Sequence, residues 1–115
     1  MPSNQPAIRL ADIIENAERI REYTSGLKYE AFLQDRKTMD AVERCFERIA
    51  EASRKLGNRF DDTYPELELR SLRGFGSVLR HDYDGVAPDL LWLFKERELP
   101  GLEAMARVEL AKLES

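Results

Sequence analysis

The chain has 115 residues, enough for one core in a single domain spanning 1–115 that buries about 65% of the surface its unfolded form exposes. With 43% apolar and 35% charged residues and a net charge of -4, it is neither a disordered tail nor a protein coated in basic charge for long nucleic acids, although a local basic pocket stays open. Cys45 and His81 are the only cysteine and histidine, which excludes an intramolecular disulfide and any zinc site built on paired histidines, so no metal or cofactor is expected; with no long apolar run and no secretory leader, the expected setting is cytoplasmic, away from membranes.

Leu10, Ile13, Ala17, Ile20, Thr24 and Leu27 recur at spacings of three and four, the period of a helix. That helix should stop at Ser25-Gly26, because glycine takes a left-handed cap conformation without steric cost. A short helical segment, LKYEAFLQD, follows. From Asp35 to Leu56 the pattern repeats through Met39, Val42, Cys45, Phe46 and Ile49. Arg44, Arg48 and Glu51 share its opposite flank, either as a solvated strip or as the polar wall of a pocket. GNRFDDTYPE reads as a connection with about one helical turn. Leu69, Leu72, Phe75 and Leu79 make a further helix, interrupted by Gly74 and Gly76, whose missing side chains suggest close approach of the backbone to another helix or a ligand. From Pro88 the chain is helical to its end, and Pro100 should kink or restart it. The expectation is an all-α, up-and-down bundle of four long helices and one or two short ones, with a kinked C-terminal helix. LLWLF supplies more apolar surface than one core face needs, which points to a homodimer as the alternative to burial within one chain.

His81 is the one side chain whose ordinary pKa lies near neutrality. Arg70, Arg73 and Arg80 precede it and Tyr83 follows. One imidazole for proton transfer and one guanidinium for developing phosphoryl charge, without paired carboxylates for Mg²⁺, suit metal-independent cleavage of RNA by its own 2′-hydroxyl. A surface histidine capping a helix end is the ordinary alternative.

In its successive blocks LADIIENAERIREYTSGL, EAFLQDRKTMDAVERCFERIAEA, TYPELELRSLRGF, LRHDYDGV and LWLFKERELPGLEAM, the chain resembles the HepT-like ribonuclease toxins, helical partners of minimal nucleotidyltransferase antitoxins. The resemblance implies a dimer whose cleft carries an Arg-x4-6-His-x-Tyr motif, RNA as substrate, and neutralisation by an antitoxin that transfers AMP to the motif tyrosine, as in a type VII toxin-antitoxin system. On that basis His81 is the motif histidine and Tyr83 the AMP acceptor. Asp35, Arg44 and Glu51 match polar positions kept on the third element, and Arg48 and Ser77 complete an expected supporting pocket. The chain departs from the pattern at Gly74-Phe75-Gly76-Ser77, where Gly76 takes the place of the motif arginine. Arg80, tethered beside His81, is the first candidate to replace it and Arg73 the second. The alternative function is a catalytically silent partner or substrate-presenting subunit of a nucleotidyltransferase.

Overall fold

The computed structural model describes residues 5–81 and 87–115, with their side chains except those of 76–81. They form α1 (Pro6–Thr24), α2 (Tyr29–Leu33), α3 (Arg36–Leu56), a 3₁₀ turn (Pro65–Leu67), α4 (Leu69–His81), α5 (Pro88–Arg97) and α6 (Leu99–Glu114). No strand occurs among the described residues, and the protein is an all-helical bundle.

The helix boundaries follow from local chemistry. Pro6 opens α1 where a missing amide costs no hydrogen bond, and Gly26, at φ +79°, turns the chain after Thr24. Asp35 caps α3: Thr38 donates its amide to Oδ1 at 3.0 Å and its hydroxyl to Oδ2 at 2.7 Å, which holds the carboxyl below its ordinary pKa. Gly57, at φ +64°, closes the same helix. Glu98 ends α5 by donating its amide to the Phe94 carbonyl and begins α6 by accepting from the Leu102 amide. Pro100 therefore sits in the first turn of a new helix, so the C-terminal segment is restarted and contributes two helices, α5 and α6.

Helix α1 lies between α3 and α6. Arg21 bonds Glu103 and Arg107 bonds Glu18, so α1 and α6 run antiparallel. Leu10, Ile13, Ala17 and Ile20 from α1 meet Val42, Phe46 and Ile49 from α3 and Leu102 and Ala106 from α6 in one core. Helix α4 packs on α3 through Leu69 and Leu72, and rings of Phe46, Phe75 and Phe94 join α3, α4 and α5. Helix α2 is held by the buried Phe32 ring, 5.1 Å from that of Trp92.

A Cβ built at Gly74 meets no atom of the described residues within 4 Å, so of the two close approaches expected there, that of another helix is not found among the described residues. Among the described residues no helix is long and apolar enough to cross a membrane.

Candidate functional site

Helix α4 carries the sequence-predicted reaction centre toward its C-terminal end. Gly76, Ser77 and Arg80 lie within it and His81 is its last residue. Their side chains lie outside the described residues, as does Tyr83 altogether. Helix geometry still relates the positions: Gly76 is about 4.5 Å and His81 about 12 Å along the axis from Arg73, and Arg80 is rotated about 100° from His81.

What fixes α4 in place is clear at Arg73. Its guanidinium forks onto Asp61, Nη1 to Oδ1 at 2.9 Å and Nη2 to Oδ2 at 2.8 Å, and Nη1 also donates to the Gly57 carbonyl at 2.7 Å. Both side chains are largely covered. The paired charges hold Asp61 below its ordinary pKa and Arg73 above its own, the side-chain hydrogen bonds being the main cause in each. Arg73 thus clamps α4 to the connection behind α3, and reaching a phosphate beside His81 would break three hydrogen bonds.

One turn further on, Phe75 stacks on Phe94 of α5 with centroids 5.0 Å apart and planes 14° from parallel. Beside this stack is a shallow hollow of about 270 Å³ lined by Phe75, Leu90, Leu93, Phe94, Arg97 and Glu98. Within LLWLF, Leu91 is buried, whereas Leu90 is 50% and Leu93 42% exposed. The run is therefore only partly used by its own core, and α5 leaves an apolar face uncovered among the described residues.

The polar positions expected to form one supporting pocket are not gathered. Asp35 is the α3 cap, and Glu51 is sixteen residues, about 24 Å of helix axis, further along. Arg44 is exposed and donates to Glu47 at 2.6 Å. Glu51 receives a two-pronged bond from Arg54 at 3.0 and 2.7 Å. Arg48 and Glu51 do line a common groove against α1, about 410 Å³ in volume, facing Arg9, Asp12, Asn16 and Arg19. The α1 side of that groove was missed from the sequence. Its signal was Asn16, a polar residue on the apolar stripe between Ile13 and Ala17.

Burial pushes the Cys45 thiol above its ordinary pKa, against the opposing pull of Arg48, Arg19 and Arg44. The thiol is 1% exposed and serves as a core side chain. Among the described residues no three His, Cys, Asp or Glu side chains converge as a metal site would need.

Comparison with known proteins bears on the same residues. A family model described as ribonuclease HepT-like matches residues 13–108, which take in Gly76, His81 and Tyr83. The chain is 38% identical over 94 residues to "Probable ribonuclease HepT" of Thermococcus cleftensis, covering 82% of this chain and 86% of that protein. It is 32% identical over 94 residues to a Methanocaldococcus jannaschii protein named as an inferred RNase, covering 82% and 86%. A second protein of that organism, named likewise, is 31% identical over 103 residues, covering 90% and 85%. No solved structure matches.

Proposed function

Since the chain belongs to the ribonuclease HepT-like family, we propose that it is the toxin of a type VII toxin-antitoxin pair, a metal-independent endoribonuclease that acts as a homodimer. The observation that supports this reading is the family match over residues 13–108, a span that includes all of α4 and the residues after it, within which His81 and Tyr83 are assigned as the motif histidine and tyrosine. In the reaction the ribose 2′-hydroxyl attacks the adjacent phosphorus and the 5′-oxygen of the next nucleotide leaves. His81 accepts or returns the proton, and an arginine holds the charge that builds on the phosphoryl oxygens. Arg80 is assigned that contact, because Arg73 is engaged by Asp61 and Gly57. Neutralisation comes from a minimal nucleotidyltransferase that uses ATP. The Tyr83 phenol attacks the α-phosphorus, pyrophosphate departs and AMP remains on the oxygen. The added phosphodiester then occupies and repels the place of an RNA phosphate.

Gly76 favours a second reading. With no guanidinium at the motif position and Arg73 committed elsewhere, the chain would be a silent bundle that binds a nucleotidyltransferase without cutting RNA. Metal-free RNA cleavage by wild type, His81→Ala, Arg80→Ala and Gly76→Arg separates the two. Activity lost in His81→Ala and raised about tenfold or more in Gly76→Arg supports the ribonuclease, since one phosphate contact is worth two to three decades in rate by order of magnitude. Wild type and Gly76→Arg both inert, with binding to the nucleotidyltransferase intact, establishes the silent partner.

A further inference from the structure

The groove between α1 and α3 contains an acceptor that neither packing nor the proposed reaction uses. Asn16 is 4% exposed. Its Nδ2 donates to the Asp12 carbonyl at 2.9 Å, which pins the amide in one orientation and leaves Oδ1 on the other side. That Oδ1 is buried without a hydrogen-bond partner, although Asn16 lines a groove of about 410 Å³. A buried carbonyl in this state is destabilising until a donor reaches it.

The charges around it are unevenly matched. Arg19 is paired with Glu15 at 2.8 Å, and Arg9 with Asp12 at 3.2 Å. Glu51 has Arg54 on it, and Lys55 at 3.9 Å. Arg48, exposed on the same groove, has the Cys45 thiol as its side-chain partner and no carboxylate ion pair among the described residues. The groove thus offers one guanidinium for an anion beside one amide oxygen that requires a donor. An ion with acceptors only, such as phosphate, satisfies the first and faces the second acceptor to acceptor. A nucleotide satisfies both, because every base carries a ring or exocyclic N–H and the phosphate is attached to it at a short distance.

We propose that the α1–α3 groove seats one nucleotide of the RNA away from His81, its base donating to Oδ1 of Asn16 and its phosphate lying against Arg48. The assignment rests on the ribonuclease reading for the identity of the ligand.

The test is titration of the full chain with 5′-AMP, 5′-UMP and inorganic phosphate, followed by amide nuclear magnetic resonance shifts, for wild type, Arg48→Ala and Asn16→Leu. Both nucleotides should give saturable shifts confined to the two groove helices, with affinity falling about tenfold or more in each variant, and phosphate should not saturate. Arg48→Ala changes an exposed side chain and carries the test if Asn16→Leu does not fold. Absence of saturable shifts in the groove, phosphate binding as well as nucleotide, or nucleotide affinity unchanged in Arg48→Ala overturns the proposal. The mononucleotides contain no internucleotide phosphodiester for the proposed reaction to cleave. Failure here therefore leaves RNA cleavage standing, and an inert ribonuclease with nucleotide bound in the groove leaves the groove standing.

Discussion

Tyr64 joins the connection before α4 to α6 by donating its hydroxyl to Oε2 of Glu109 at 2.6 Å, with Lys112 on the same oxygen at 3.1 Å. The hydrogen bond to a carboxylate, helped by partial burial and the carboxylate charge, pushes the phenol up to about 12, while Glu109 is held below its ordinary value. A raised pKa stabilises the fold fully below the unfolded value of about 10 and is lost as pH rises from there toward 12. Of the four tyrosines, Tyr64 is expected to ionise with a midpoint near 12. Ultraviolet titration should show that step in wild type and lack it in Tyr64→Phe. Asp61 has the opposite sign. Arg73 depresses its pKa, so its contribution is present above the ordinary carboxylate value of about 4 and disappears as pH falls through the folded one. Asp61→Asn should lower the melting temperature at neutral pH, and its difference from wild type should shrink toward zero in thermal melts below about pH 3.

Helix α4 is the element on which the proposed chemistry depends. The N-terminal half is locked by Leu69 and Leu72 in the core and by the Arg73 clamp. Midway, Gly74 lies in open space on an exposed face, so Gly74→Ala should stabilise the fold by about 0.5–1 kcal/mol through helix propensity alone, measurable by urea denaturation. A loss of stability in that variant would mean that a second molecule approaches the helix there. Helix α2 shows the reverse dependence. With five residues it is too short to persist without packing, and one fully buried ring, Phe32, attaches it. Phe32→Ala is expected to cost about 3–5 kcal/mol in the same experiment.

For the molecule as a whole, association is the property that connects the fold to the proposed activity. The exposed Leu90 and Leu93 adjoin Phe75 in the hollow beside the aromatic stack, and a second copy is the proposed cover for them. Leu93→Glu puts a charge on a side chain already 42% exposed. It should leave the far-ultraviolet circular dichroism unchanged while sedimentation equilibrium at tens of micromolar shifts from a dimer to the 13.3 kDa species. Wild type sedimenting only as the 13.3 kDa species would remove the dimer from the proposed function.

The helices were legible in the order of residues because their causes are local. Apolar spacing of three and four, a glycine after Thr24 and another after Leu56, and a proline beside each of several starts act within one or two turns, and α1 and α3 end within a residue or two of where that pattern puts them. The assignment of His81 and Tyr83 to motif positions is likewise a reading of order along the chain, and their side chains lie outside the described residues. Which partner each polar side chain takes was not visible, because that is set by distance in space. Arg73 stood as a candidate for phosphate until folding placed Asp61 and the Gly57 carbonyl at its guanidinium. Asp35 and Glu51 read as members of one pocket until the length of α3 separated a helix cap from a groove wall. Asn16 is, in the sequence, only a polar residue beside Ala17 of an apolar stripe. Only the approach of α3 to α1 made it a buried acceptor facing a groove, since burial, unlike periodicity, depends on the neighbour that arrives from elsewhere in the chain.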